Sequence, residues 1–408
     1  MKLSKLAAAI SVAAPLAIAS PLASAEDDAF LIESDMGKIN LDLRVRYEGV
    51  NDDSPKKDAE AFTARVRLGY LTPDFAGFKA FAELESTVSL LSGREYNDKT
   101  LNPGSSRGKY SVIADPDNNE LNRAWVSYSG FADSLIKLGR QRIIFDNARF
   151  VGNVGWRQNE QTFDALTFAN TSFADTTIVA GYVNDVHTIL GTHVEAEVPV
   201  VNIKYSGLPF GDIIAYGYYI DFDDNAATDR DTIGLRFTGS TNVSESVKTV
   251  YTAEYAQQDA DKRGTSKKSL DYYMLEAGAT FTGVTAKVAR ESHEGNKNAG
   301  VAFDTPLGTN HAFSGWADQF LVIPTDGLED TFFTLSTKLA GVKLAAIYHD
   351  FEADDSGVDY GDEIDFLVAK KFGKNYSLLL KYAKYERGDR ISGKVDTDKL
   401  WVQGEVKF

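Results

Sequence analysis

Hydrophobic and polar residues alternate without a break at the carboxy-terminal end of the chain. Leu400, Val402, Gly404, Val406 and Phe408 form one face, and Trp401, Gln403, Glu405 and Lys407 form the other. Period-two alternation marks an extended strand with two unlike faces. About nine such residues suffice to cross a bilayer as a tilted strand. This one ends on an aromatic residue, with apolar residues at alternate positions before it.

The same pattern recurs from Gly37 onward, in alternating segments of roughly 9–14 residues separated by turn signals. Strands are expected to begin near Lys38, Phe62, Phe78, Leu121, Leu135, Phe163, Thr176, Val198, Ile213, Thr232, Val247, Leu270, Val284, Thr331, Val342, Glu363, Tyr376 and Asp398. That gives about eighteen, an even number as bacterial outer-membrane barrels have.

The connections sort by length. After even-numbered strands they are short: Thr72–Gly77, Phe131–Asp133, Ser206–Gly211, Thr282-Gly283, Ala340-Gly341 and Phe372–Asn375. Most carry the Gly, Pro, Asn or Asp that tight turns need. After odd-numbered strands they are longer, the longest being Leu91–Asn119, Arg142–Thr162 and Glu294–Asp330. Short turns at one end and long loops at the other are the topology of a transmembrane barrel. A soluble sandwich has no reason to sort its loops. The expected fold is therefore all-β, one antiparallel transmembrane barrel over residues 26–408, with no domain boundary or linker.

Alternation also assigns the faces. Leu41, Leu43, Val45 and Tyr47 are expected to meet lipid, as are Ala64, Val66, Leu68 and Tyr70 on the second strand. Inward-facing, pore-lining candidates are Arg44, Arg46, Arg65, Arg67, Lys79, Glu83, Glu85 and Arg123. Exposing an Arg to lipid at mid-depth costs roughly 2–4 kcal/mol, which disfavours the opposite assignment. Later strands place Lys204, Arg236, Lys248, Lys287, Lys338, Lys343 and Lys381 on the polar face, with Glu254, Glu276, Asp365 and Glu405. The fifth strand departs from the rule, since Ile136 and Leu138 share a face with Arg140. Either Arg140 lies beyond the apolar band or a bulge re-aims it.

Two readings of the basic positions follow. A ladder of Arg on one wall of an aqueous channel would concentrate anions. Alternatively, Arg44, Arg46, Arg65 and Arg67 pair with Glu83 and Glu85 inside the lumen and fix register.

The amino terminus changes the address. Lys2 and Lys5 precede an apolar run from Leu6 to Ala19, and Ala23-Ser24-Ala25 is a small-x-small cleavage site. This is a secretory signal peptide over residues 1–25, so the mature chain should begin at Glu26. No apolar run of about eighteen residues follows, which excludes a conventional helical span. Removing Lys2 and Lys5 takes the net charge from −16 to −18. That balance argues against a nucleic-acid partner. There are no cysteines, so no disulfide framework supports the fold.

Two loop-bearing stretches are more specific than any periodicity. One is Leu138-Gly139-Arg140-Gln141, continuing through Trp156-Arg157-Gln158 to Thr162-Phe163-Asp164-Ala165; the other is His311–Phe320, closing with Gly327–Asp330. With Tyr348-His349-Asp350-Phe351 and Tyr360-Gly361-Asp362-Glu363, they resemble the alginate-export family of outer-membrane barrels. The resemblance implies a channel of about eighteen strands in the outer membrane of a Gram-negative cell. Its partners would be lipid, lipopolysaccharide and the barrel-assembly machinery, and its cargo anionic saccharides or other small polar solutes. A general or substrate-selective diffusion porin is the alternative. The minimal turn at Phe372–Asn375 leaves no material for a periplasmic plug on that side.

Other chemistry is sparse. The acidic loops Asn51–Asp53, Asp221–Asp224 and Asp350–Asp362 lack the spacing of a calcium loop and read as solvated or lipopolysaccharide-bridging. His187 and His193 share one expected loop, and no third ligand is spaced along the chain for zinc. His293, His311 and His349 complete the histidines. No nucleophile motif such as G-x-S-x-G is present, and no cofactor is implied, so an outer-membrane hydrolase is the least supported class. Trp156 and Trp316 anchor loops folded into the mouth or sit at the outer aromatic girdle.

Overall fold

The computed structural model describes residues 30–91, 93–100, 106–223, 228–262, 267–389 and 393–408. The signal peptide and the first residues of the acidic lead-in lie outside them, as does Asp224. The chain forms eighteen barrel strands: β1 (Gly37–Asp52), β2 (Ala59–Leu71), β3 (Phe78–Ser89), β4 (Asn118–Tyr128), β5 (Ser134–Gln141), β6 (Thr162–Asn170), β7 (Thr176–His187), β8 (His193–Leu208), β9 (Gly211–Phe222), β10 (Thr228–Asn242), β11 (Val247–Lys262), β12 (Lys268–Phe281), β13 (Val284–His293), β14 (Leu328–Leu339), β15 (Val342–Glu352), β16 (Asp359–Phe372), β17 (Tyr376–Glu386) and β18 (Thr397–Lys407). Every expected start falls within five residues of the observed one, the largest offset being Val198 against His193.

Each strand pairs antiparallel with its sequence neighbours, and β1 pairs with β18 from Asp42↔Lys407 to Asp52↔Thr397, which closes the ring. Closure removes the free edges that an open sheet would expose to lipid. Phe408 extends the seam by exchanging backbone hydrogen bonds with Leu41 at 2.7 and 2.8 Å. A three-residue strand, Ile32–Ser34, folds back on the start of β1.

The turns obey their chemistry. Thr282-Gly283 and Ala340-Gly341 both have positive φ at both central residues (46° and 85°; 48° and 79°). That is the two-residue hairpin geometry whose twist matches the flanking strands. A Cβ on Gly341 would meet nothing within 4 Å, so conformation rather than space calls for glycine there. One turn is tighter than expected: β8 runs to Leu208, leaving only Pro209 and Phe210 before β9.

The outer face carries exposed apolar residues, among them Ile233, Leu235, Leu275, Phe333 and Leu335. Phe131, Phe173, Phe210, Phe281 and Phe372 project at the short-turn end, where an aromatic girdle belongs. Arg140 stays on the outward face with Ile136 and Leu138. Its guanidinium grips Asp164 on β6 at 2.9 and 3.1 Å and donates to the Leu121 carbonyl. The pairings of β5 carry no register shift, so Arg140 lies at the strand end beyond the apolar band. His187 and His193, expected in a loop, instead end β7 and begin β8 and face each other in register.

Candidate channel interior

All eight pore-lining candidates point into the barrel, and seven of them are buried. Arg46 and Arg65 are each only 1% exposed; Arg44, Arg67, Glu83, Glu85 and Arg123 are also closed off, and Lys79, near a periplasmic turn, is half-buried. What covers the ladder is the connection from β5 to β6, residues 142–161, which folds inward.

This loop bridges the lumen because its sequence is amphipathic along its length. Its first half carries the apolar side chains Ile143, Phe145, Phe150 and Val151. Phe145 and Phe150 pack against Tyr216 and Tyr218 of β9, and Phe150 also meets the ring of Tyr272 on β12. Its second half lies over β1–β3 and offers backbone carbonyls to the ladder. Arg44 donates to the carbonyls of Gly155 and Arg157 at 3.1 and 3.0 Å, and Arg46 donates to that of Trp156 at 2.5 Å. Arg65 and Arg67 both reach the carbonyl of Gln158 at 3.4 Å. The Arg46 guanidinium also lies over the Trp156 ring, 4.2 Å from its centroid.

The charges are matched as well. Arg44 binds Glu405 (2.8 Å), Arg65 binds Asp42 (2.6 Å), Arg67 binds Glu85, and Arg123 holds Glu83 in a fork at 2.9 and 2.6 Å. Loop charges complete the network. Arg157 forks onto Glu48, and Glu160 sits between Arg142 (2.7 Å) and Arg67 (3.5 Å). These guanidinium groups hold the Glu160 carboxyl well below its usual range against a burial that would raise it. The basic ladder is thus a paired clamp for a loop, rather than an open row of anion sites. The geometry follows the pairing alternative with Glu83 and Glu85 only at Arg67, which takes Glu85; Glu83 goes to Arg123, outside that alternative, and Arg46 meets Gln403 and Asp115. Arg44 and Arg65 find Glu405 and Asp42 instead.

A second inward loop, residues 294–327 between β13 and β14, locks against the first. Gly152 donates its amide to Leu307 O (2.9 Å), and Gln161 Nε2 donates to the carbonyls of both. Arg149 binds Glu291 at 2.8 Å from the first loop to the wall. The amides of Trp316 and Ala317 are captured by Asp365 and Glu363 of β16 at 3.3 and 2.7 Å. Gly315 allows that approach, since a Cβ there would sit 2.4 Å from Glu363 Oε2 and its φ is +79°.

Both loops converge on Lys381 of β17. Its ammonium lies 3.6 Å from the Trp316 ring centroid, 4.2 Å from that of Trp156 and 5.4 Å from that of Trp401. Its Nζ donates to His311 Nε2 at 2.7 Å, and His311 Nδ1 faces Asp318 at 2.5 Å. That pattern fits a neutral imidazole with its proton on Nδ1. Burial, reinforced by the Lys381 charge, holds the His311 pKa well below its ordinary value, although Asp318 opposes the shift. Trp156 and Trp316 therefore belong to folded-in loops, and the outer-girdle alternative is excluded for both.

Below these loops the interior opens. On β10–β16 the inward residues nearest the short turns, such as Ser240, Thr285, Lys287, Ser336, Lys343 and Ala369, are half-buried rather than sealed. Lys338 and Lys343 are direct cross-strand neighbours on this inner face, and neither has an ion-pair partner among the described residues. Lys248 likewise has none. Lys287 is paired with Glu276 at 2.5 Å, and Lys204 with Asp212 at 2.8 Å.

Sequence reasoning missed Arg149, Arg157, Glu160, His311, Asp318 and the central place of Lys381. A signal was available. An extracellular loop carrying Phe145, Phe150, Val151 and Trp156 is too apolar to lie in water.

The alginate-export family model matches residues 38–352. Among solved structures the fold is similar to that of Acinetobacter baumannii OccAB2, with 13% identity, a TM-score of 0.71, and coverage of 92% of this chain and 99% of that one. Pseudomonas aeruginosa OccK9 (OpdG) gives 14% identity and a TM-score of 0.70, over 92% of this chain and 100% of that one. Pseudomonas aeruginosa OpdK, solved with vanillate, gives 12% identity and 0.68, over 91% and 98%. A sequence search of curated proteins finds no match.

Proposed function

The chain belongs to the alginate-export family, as an outer-membrane β-barrel channel for polar solutes, and we propose that it favours small anionic solutes, with carboxylate-bearing saccharides first among them. The observation that carries this reading is the pair Lys338 and Lys343. Like charges directly opposite on one strand pair are unfavourable by themselves. Facing a half-open vestibule without carboxylates to neutralise them, they raise the local concentration of anions. Lys248 adds to the same end of the barrel. The Arg ladder does not carry the preference, because its charge is spent on Glu405, Asp42, Glu85, Glu83 and the loop carbonyls.

The two inward loops narrow the lumen, which favours small solutes over an open polymer conduit. OpdK was solved with vanillate, an aromatic carboxylate, and a barrel of similar fold holding a small anion supports the substrate class proposed here. Among the described residues the interior brings no nucleophile together with a base and an oxyanion hole, which supports a transport role. Assembly by the barrel-assembly machinery fits the alternating strand β18 with the Phe408 ring packed near Tyr376, and contact with lipopolysaccharide fits the acidic rim.

The test is the reversal potential of the refolded barrel in a planar bilayer under a KCl gradient, with short oligouronates added. Anion selectivity and uronate block, both reduced in Lys338→Glu/Lys343→Glu, support the reading. Weak selectivity unaffected by that double change leaves a general porin.

A further inference from the structure

Outside the lumen, the extracellular ends of β6, β7 and β8 bring together ligands that are far apart in sequence. Asp164, Asp185 and His187 place one donor atom each within 4.8 Å of one another. The topology does this in two steps. Strand pairing sets Asp164 opposite Asp185, and a register shift between Val183 and Asp185 in the pairing with β8 turns Asp185 and His187 outward together. His193 stands opposite His187, and the two rings lie 5.8 Å apart at 24°.

We propose that this cluster binds one divalent transition-metal ion of the zinc class through His187 Nε2, Asp164 Oδ2 and Asp185 Oδ1. Imidazole with carboxylates suits zinc and its neighbours better than calcium or magnesium, which prefer all-oxygen shells. Bonds of about 2.0–2.1 Å to a tetrahedral ion put its donors about 3.3 Å apart. The His187 Nε2 to Asp164 Oδ2 separation is already 3.1 Å. Asp185 Oδ1 is buried without a hydrogen-bond partner, while its other oxygen faces His193 Nδ1 at 2.9 Å. That leaves Oδ1 available for the ion and makes His193 a positioning residue for the carboxylate. Arg140 bonds both oxygens of Asp164, Oδ2 included at 3.1 Å, and so fixes that carboxylate, while Asp185 has no Lys or Arg partner among the described residues. Glu195, opposite Asp185 in register, adds to the negative field.

The site lies two residues beyond the exposed outward-facing pair Leu166 and Tyr182, toward the long-loop end of the barrel. Three protein ligands leave a fourth position open to water or a phosphate oxygen.

The experiment is a zinc titration by calorimetry of the refolded barrel in detergent, free of any polyhistidine tag, repeated with Co²⁺ to read its visible absorption. One ion per chain is expected, with affinity falling well over tenfold in His187→Ala and in Asp185→Asn, and about tenfold in His193→Ala, the low end of the range seen when outer-shell partners are lost. The tetrahedral Co²⁺ spectrum should vanish in the first two. Heat-modifiable gel mobility shows whether each variant is folded, and Asp185→Asn, nearly isosteric, serves if His187→Ala is not. No saturable binding, or binding unchanged in folded Asp185→Asn, overturns the proposal.

Discussion

The imidazole of His311 lies face to face with the indole of Trp156, with ring centroids 4.6 Å apart and planes 7° from parallel. These residues come from different extracellular loops, and Lys381 on the barrel wall touches both. One wall cation thus fastens two loops inside the lumen.

Replacing Lys381 with Ala should release that fastening. Cation–π contacts in a desolvated site are worth about 2 kcal/mol, and a hydrogen bond to a charged group such as the Lys381–His311 contact about 1.5–3 kcal/mol. Here the loss falls on loop docking, because strand pairing is untouched. Larger, noisier single-channel current and faster cleavage of the loops by added protease are expected, with heat-modifiable mobility unchanged. Quiet channels of wild-type size would show that the loops are held elsewhere.

Arg65→Ala/Arg67→Ala tests the clamp on β2, three strands round the ring from Lys381. If the ladder bound solute directly, the double change would reduce anion selectivity. Because these side chains pair with Asp42 and Glu85 and hold Gln158 O, the expected effect is a rise in conductance with the reversal potential nearly kept.

Burial raises the Asp146 carboxyl to about 6, with Asn202 partly opposing the shift. A carboxyl raised above its unfolded value of 3.8 favours the docked loop fully below that value, and the advantage is lost as pH rises through 6. Glu160 and Asp318 are depressed, so their contribution is present above the ordinary carboxylate pKa and fades in stronger acid. Docking should therefore be tightest near pH 4–5 by these pKa directions and loosen toward pH 7. Open probability measured from pH 5 to 7 should rise in the wild type and stay flat and low in Asp146→Asn.

Leu235 is 55% exposed on the outer face near the middle of β10. Leu235→Arg should destabilise the barrel by about 2–4 kcal/mol in urea titrations from lipid vesicles, the depth-dependent cost of a lipid-facing Arg.

Strand number, faces and the sorting of turns from loops were legible in the sequence because each rests on local period-two chemistry. Arg65 reads as inward from its neighbours Ala64 and Val66 alone. The state of the interior was not legible, because it depends on contacts such as Arg44 to Gly155 O across long sequence separations. Lys381 was visible as an inward lysine, but its Trp cage is assembled from two loops and the neighbouring strand β18. The cluster at Asp164 was hidden for a related reason. The spacing of His187 and His193 shows no third ligand, while register supplies two carboxylates from neighbouring strand positions.

The most direct measurement is the current–voltage relation of the refolded wild-type chain in a planar bilayer under a KCl gradient. Small discrete conductances with an anion-selective reversal potential, the selectivity inverted or abolished in Lys338→Glu/Lys343→Glu, are what the proposed anion preference predicts. Cation-selective current, or no current in wild type and Lys381→Ala alike, would contradict a loop-narrowed channel for anions.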